Sequence, residues 1–357
     1  MSPTGEEWSA AVAGAARPSA PVDDPQLPPR TVLRVTVQVL GFLVSLAILA
    51  WVIVKVGGDE HTRAQAERLL HAPPWQIAIV LILSGLTTAC SGLVFWAVGR
   101  GLHNAGALEC IHVNGVGSLL GYLPMKASLI FRVLYHRRAG QVDWLHIAAW
   151  MSATALVITC SLTPPLAASL GLKRADALWW VVAVGGSMAF AVALVTGARY
   201  FAGAPGMARL HTLARNSHIP GTERFLGLAL TRKLHRALDL LGNPASVALA
   251  FAFRTLEFAA QAARFWLIAQ IVGIEMSVGQ AMLAGPIYFF VQATSPAGVA
   301  GPREGALLAL LGEQFGAVIL AVSVAQACMD VLQGILGAVC LRLDRVFLKP
   351  RSTPNPQ

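Results

Sequence analysis

Residues 292–311 read QATSPAGVAGPREGALLALL, and the fold turns on how this stretch is read. It lies in a strongly apolar region, yet carries Pro296, Pro302, Gly298, Gly301, Gly305 and an adjacent Arg303–Glu304 pair. A continuous membrane helix does not run through such a sequence, because proline removes a backbone donor and glycine favours unwinding. In hydrocarbon, freed backbone groups are tolerated only where protein buries them or they line a wet cavity. Each full charge at that depth costs about 2.5–3.5 kcal/mol on insertion scales. The stretch is therefore expected to form a broken, re-entrant hairpin, with a new helix starting near Pro302. An extramembrane loop is the alternative. The flanking apolar segments 280–290 and 305–311 are each too short to span alone, which favours the hairpin.

Outward from this stretch the same character persists. Hydrophobic residues make up 55% of the 357-residue chain and charged ones 13%, with apolar runs of span length throughout. That composition specifies an all-α, polytopic helical membrane protein. Cys90, Cys110, Cys160, Cys328 and Cys340 fall in or beside apolar segments without metal-ligand spacing, so small core residues are expected rather than disulfides. The histidines form no metal signature, and neither a metal nor another cofactor is expected. The basic balance (sequence pI near 9.8) reads as cytoplasmic faces against anionic lipid rather than as a nucleic-acid surface.

Residues 1–30 have no hydrophobic period and read as a disordered cytoplasmic tail, residues 31–343 as one transmembrane domain, and residues 344–357 as a second cytoplasmic tail. Six full spans are expected at 35–56, 74–98, 144–170, 178–199, 244–271 and 318–341. A second irregular stretch, 110–138, pairs a break at Pro124 with Lys126 and Arg132. Pro124 precedes Arg132 by eight positions and Pro296 precedes Arg303 by seven. Interrupted segments at matching places in two halves point to a transporter's central site. In the polar connection 199–243, Leu226, Leu230, Leu234, Leu238 and Leu241 recur opposite Arg232, Lys233 and Arg236. This is either an amphipathic helix on an acidic membrane surface or a solvated cytosolic one. Of the 27 Lys and Arg residues, eighteen then fall on the face of both termini, five on the opposite face and four within the membrane. Both termini are expected in the cytoplasm of a bacterial-type inner membrane. The two hairpins then enter from opposite sides, in an inverted arrangement.

Four residues of the fifth span, Arg254, Glu257, Gln261 and Arg264, share one helical face through steps of three, four and three. Intramembrane charges face a bundle interior or an aqueous cavity and pair with one another. Arg254 with Glu257 is such a pair, either as helix–helix glue or as part of a site. Asp330, near Gln326 and Gln333, is a second candidate, read either as part of a site or, in preference, as a hydrogen-bonded packing group. Together Lys126, Arg132, Arg254, Arg264 and Arg303 outnumber Glu257, Glu304 and Asp330, and an excess of buried cation calls for an anion. Phosphate fits guanidinium forks and helix N-termini, so a phospholipid headgroup or a lipid-linked phosphate is the expected ligand. Glu304 in the first turn of its helix complements the positive end. Arg303 gains nothing there and needs Glu304, another carboxylate or a bound anion.

At SPAGVAGPREGALLALL the sequence resembles the lysylphosphatidylglycerol synthase transmembrane, or flippase-like, family. The match falls on Pro296, Gly298, Gly301, Arg303, Glu304 and Gly305, and an earlier stretch with Pro124, Lys126 and Arg132 is similar. Where the family shows a Gly followed by an acid, this chain has Ser128 and Leu129. The resemblance implies a helical membrane domain with two re-entrant elements that moves a lipid between leaflets. Some members fuse it to a soluble aminoacyl transferase, which is not expected here; free-standing members include ones linked to isoprenoid pathways and hopanoid synthesis. The expected partners are a membrane lipid or lipid-linked phosphate and enzymes of lipid biosynthesis. Two alternatives remain open: a membrane-embedded transferase acting on a lipid phosphate, and a non-transporting scaffold of a lipid-synthetic complex. No catalytic constellation beyond Glu257, Glu304 and Asp330 is visible.

Overall fold

The structure, a computed structural model, describes residues 43–44, 46–54, 58, 60–101, 105–123, 127–140, 142–172, 176–216, 235–294 and 301–343. The two tails, half of the first expected span, the breaks at Pro124, Lys126, Pro296 and Gly298, and the leucines at 226, 230 and 234 lie outside the described residues. The described residues all belong to one compact unit, 38–357.

Among them all regular structure is helical. Residues 46–54 are helical and are followed by α1 (Glu60–Leu70) and α2 (Pro74–Gly99), whose proline sits in the first turn where its missing N–H loses nothing. The first short pair is α3 (Ala107–Leu120) and α4 (Ala127–Ala139). Then come α5 (Trp144–Leu172) and α6 (Ala177–Phe201). Asp176 caps α6, its Oδ1 accepting from the Trp179 N–H at 3.0 Å. A π-helical turn, Val181–Gly185, interrupts α6. Polar α7 (Gly203–Asn216) and short α8 (Arg236–Leu241) lead into α9 (Pro244–Val272). Asn243 caps α9 through Ala245 N–H at 3.0 Å. The second short pair is α10 (Val278–Thr294) and α11 (Pro302–Leu311), and a 3₁₀ turn, Glu313–Phe315, opens α12 (Gly316–Cys340).

By length and apolarity four of the described helical stretches can cross a membrane: α2, α5, α6 and the run Glu313–Cys340 that contains α12. At 29 residues α9 equals α5 in length, which is about 44 Å at 1.5 Å per residue. Its three charged residues, Arg254, Glu257 and Arg264, are all buried. The protein is an all-α polytopic membrane protein.

The centre is built from α9 against α2, and α3 against α2 and α12. The α3–α12 seam is close because small residues line it. A Cβ on Gly337 would stand 2.6 Å from the His112 carbonyl oxygen, and one on Gly115 would stand 2.9 Å from that of Gln333. Between helices in lipid, such backbone approach replaces the missing hydrophobic drive with dispersion contacts. One apolar core gathers Val52, Phe265, Tyr288, Leu307, Phe315 and Val322. A second gathers Trp150, Ala153, Leu241 and Val247. Leu241, read from sequence as part of a surface-lying leucine stripe, is thus a core residue. By contrast α6 exposes Leu178, Val181, Val184, Met188 and Val192, as a lipid-facing helix does.

Candidate functional site

The four α9 residues expected on one face are all buried there: Arg254, Glu257, Gln261 and Arg264 are 3%, 1%, 0% and 0% exposed. Arg254 forms an ion pair with Glu257 through Nη1 and Oε2. The other Glu257 oxygen accepts from Ser91 Oγ on α2 at 2.8 Å. Arg254 also lies over the rings of Phe258 and Phe289, 4.9 and 5.0 Å from their centroids, where a cation gains from the aromatic quadrupole. Arg264 does not join this pair. Its Nη1 donates to Ser84 Oγ at 2.7 Å and to Gln326 Oε1, and its Nη2 donates to Gln261 Oε1.

From Gln326 the network runs on through α12. Gln326 Nε2 donates to Thr88 Oγ1 at 3.0 Å and to Asp330 Oδ1 at 2.9 Å. Thr88 Oγ1 donates to the same Asp330 oxygen at 3.1 Å, and Tyr122 Oη to the other at 3.1 Å. Asn114 Nδ2 donates to the Thr88 carbonyl at 2.7 Å, while its Oδ1 accepts from Arg132 Nη2 at 2.6 Å. Arg132 lies 4.4 Å over the Phe95 ring, and no described carboxylate is within ion-pair reach of it. One hydrogen-bonded path therefore links α9, α2 and α12 to both short helices of the first pair.

At the second break, Pro302 is the first residue of α11 and Gly301 precedes it with φ 97°. That backbone region favours glycine because it lacks a Cβ. The Gly301 N–H donates to Glu304 Oε2 at 2.6 Å, satisfying an orphan donor at the helix start as a capping-box acid does. The other Glu304 oxygen accepts from Arg303 Nε at 3.0 Å and Nη2 at 2.7 Å, and from Ser323 Oγ of α12 at 2.6 Å. Arg303 Nη1 donates to Tyr288 Oη at 2.7 Å, with the guanidinium 4.4 Å above that ring. The compensation Arg303 requires thus includes its neighbour Glu304. Gly305 stands on the same first turns, with Ile48 beside it.

Among the described groups the buried cations Arg254, Arg264 and Arg303 stand with the buried acids Glu257, Glu304 and Asp330; Arg132 is half-buried, and Lys126 lies outside the described residues. The polar interior is incomplete. Arg132 Nε, Arg254 Nε, Gln261 Nε2 and Arg264 Nε are buried donors without an acceptor. Three of the four lie on the α9 face. Buried polar groups are normally satisfied, so donors left over on one face call for an acceptor-rich group.

The opposite side of α9 is apolar. Ala248, Ala252, Ala259, Ala263 and Trp266 line a groove of about 740 Å³ shared with α5, α6 and α10, within the range of roughly 300–1,000 Å³ typical of ligand sites. Trp180, Val184, Met188 and Val192 of α6 line it while remaining exposed to the surroundings. The π-helical turn contributes Ala183 and Val184 to its wall, and such turns are frequent at functional sites. Phe258 belongs both to the groove and to the aromatic bed under Arg254.

Sequence reasoning placed the charges correctly on one face of α9 but missed Ser84, Ser91, Asn114, Tyr122, Tyr288 and Ser323, which are single polar residues on distant segments. It also missed the groove, whose signal was the row of alanines along the other face of the same helix.

A helical membrane protein with a continuous polar interior and a lipid-facing apolar groove is the class that these features define. The sequence profile described as the lysylphosphatidylglycerol synthase TM region matches residues 38–336, and the chain belongs to that family. It is thereby a membrane protein of lipid metabolism or transport. Neither a curated protein nor a solved structure matches the chain.

Proposed function

We propose that this protein binds a phosphate-bearing membrane lipid and moves it between leaflets, with α9 as the element that holds both ends of the molecule. The observation that carries this reading is the two-sidedness of that helix. Arg254, Gln261 and Arg264 leave buried N–H donors free on one face, and alanines open an apolar groove on the other. A headgroup phosphate offers acceptors to guanidinium donors, and an acyl or isoprenoid chain matches the groove walls. Arg303, Glu304 and Arg132, with Lys126 beside the first break, complete the headgroup region. In this reading the helix pairs α3–α4 and α10–α11 are inverted re-entrant hairpins whose breaks at Pro124, Pro296, Gly298, Gly301 and Gly305 hinge access from the two sides. The excess of Lys and Arg on one face supports an inner-membrane orientation with both termini in the cytoplasm.

Photo-crosslinking tests the binding mode. Purified protein in vesicles containing a phosphatidylglycerol with a diazirine at mid-chain is irradiated and the adducts are mapped by mass spectrometry. Adducts on Ala259, Met282 and Met188, reduced when Ala259 is replaced by tryptophan, are expected. Adducts confined to lipid-facing residues outside the groove would refute the site. An altered mass of the recovered lipid would instead indicate covalent transfer.

A further inference from the structure

Of the buried arginines Arg254, Arg264 and Arg303, Arg264 is held differently from the other two. Arg254 and Arg303 each pair with a carboxylate on their own helix. The described acceptors of Arg264 are all neutral: Ser84 Oγ, Gln326 Oε1 and Gln261 Oε1. Asp330 stands one amide further on, accepting from Gln326 Nε2 at 2.9 Å. A buried guanidinium without a direct counter-charge carries a desolvation cost that a bound anion offsets.

Donors without an acceptor gather around this one group. Arg264 Nε and Gln261 Nε2 are both buried and unpartnered. The Gln261 amide is fixed in this sense, because its Oε1 accepts from Arg264 Nη2 and turning it over would set N–H against N–H. Tyr288 of α10, 2% exposed, supplies a third donor. Its ring centroid lies 5.8 Å from the Arg264 guanidinium and 4.4 Å from that of Arg303. Its oxygen accepts from Arg303 Nη1 at 2.7 Å. A tyrosine hydroxyl also has a hydrogen to give, and no described residue takes it. Phe265 and Phe289 pack edge-on to the ring, with centroids at 6.3 and 5.4 Å, and hold it in place.

These groups lie where the polar face of α9 meets the groove. Gln261 and Arg264 flank Ala262 and Ala263 of the groove wall on α9, and Tyr288 follows Pro286 of the same wall on α10. Gly285 of α10 faces Gln261 across the seam: an added Cβ would meet its Cγ at 3.8 Å, so no α10 side chain separates the two there. A water molecule at such a place must direct its own hydrogens among donors. A phosphate oxygen only accepts, and its bonds to guanidinium groups are the strong, charge-assisted kind.

We propose that Tyr288 is a headgroup-binding residue whose hydroxyl, together with Arg264 Nε and Gln261 Nε2, forms a cradle for phosphate oxygens at the α9–α10 seam. The proposal deepens the lipid-binding reading above and rests on it. Arg303, committed to Glu304, strengthens the hydroxyl as a donor by donating to its oxygen.

The test offers the full-length protein, in dodecyl maltoside micelles that carry no phosphate, two mid-chain diazirine lipids with identical chains. One is a phosphatidylglycerol and the other a diacylglycerol, and the ratio of their adducts on Ala259 reads the preference for phosphate. The wild type is expected to favour the phosphatidylglycerol, and Tyr288→Phe to lower that preference about tenfold, the worth of one hydrogen bond to a charged group. Gln261→Glu should remove the preference while keeping the fold, because the new carboxylate gives Arg264 a counter-charge and repels phosphate. Carbon NMR of tyrosine Cζ reads the hydroxyl itself. The signal missing from Tyr288→Phe should move in the wild type on adding phosphatidylglycerol and stay in place on adding diacylglycerol. An unmoved signal, or equal loss of both adducts in Tyr288→Phe, overturns the cradle and leaves Tyr288 as a support for Arg303. A folded Gln261→Glu protein that keeps the wild-type preference overturns it as well. In these cases phosphatidylglycerol adducts in the wild-type groove leave the lipid-binding reading standing. A wild type labelled equally by both lipids overturns the cradle and the phosphate part of that reading together.

Discussion

Glu304→Ala is the most informative single substitution, because one carboxylate holds the start of α11, the neighbouring arginine and α12 together. It accepts from Gly301 N–H, Ser323 Oγ and two Arg303 nitrogens. At about 1.5–3 kcal/mol per charge-assisted bond, four bonds add to roughly 6–12 kcal/mol. That sum overstates the effect, since withdrawing the carboxylate from water already costs several kcal/mol. What remains after truncation decides the size: Arg303, 1% exposed, keeps Tyr288 and loses its counter-charge. Breaking a buried pair on one side costs about 3–5 kcal/mol, and that loss is expected for Glu304→Ala in reversible unfolding in mixed detergent–SDS micelles. Arg303→Ala should lose a similar amount. The double variant should lose less than the sum, with a coupling on the order of 2–3 kcal/mol. Losses below about 1 kcal/mol in either single variant, or strictly additive losses, would refute the structural part of this reasoning.

Exchanging the charges of Arg254 and Glu257 should restore expression lost in either reversal alone while leaving lipid binding impaired, because Phe258 and Phe289 bed the guanidinium only at 254; full recovery of binding would assign the pair to packing alone. Gly337→Leu should destabilise by more than about 3 kcal/mol, beyond ordinary core overpacking, because the first added carbon meets the His112 carbonyl at 2.6 Å; unfolding midpoints read it, and an unchanged midpoint would mean the α3–α12 seam is loose. Arg303→Lys keeps the charge but gives up the fork that reaches Glu304 and Tyr288 together, so lipid movement should fall sharply at normal expression. A cysteine placed at Ser217 should resist labelling by an impermeant reagent in sealed cells, and one at Asp59 should react; the reverse pattern would invert the proposed orientation.

What the sequence made legible was local. Pro302 and Gly301 announce a break because proline and glycine act on the backbone where they stand, and α11 starts there. The buried face of α9 follows from helical spacing alone, as do the long helices from their apolar length. The identity of partners was not local. Arg264 finds Ser84, 180 residues away in sequence, and Gln326, 62 away, neither distinguished by any pattern. The link from Arg264 to Asp330 is equally non-local: it runs through the Gln326 amide, which no spacing rule reveals. Alanine rows along a membrane helix look like simple packing until the neighbouring helix fails to fill them, as α6 does beside α9.

Transbilayer movement of a phosphate-bearing lipid is the property to measure. Purified protein in sealed vesicles carrying NBD-labelled phosphatidylglycerol in both leaflets is mixed with dithionite, which bleaches only the outer leaflet. Bleaching that proceeds past the outer-leaflet half with wild-type protein, with unaltered lipid mass, is expected, as is its loss on Arg264→Ala and on Ala259→Trp, which remove a headgroup donor and fill the groove. Bleaching that stops at the outer leaflet in the presence of folded wild-type protein, for this lipid and for a lipid-linked phosphate labelled in the same way, would contradict the account.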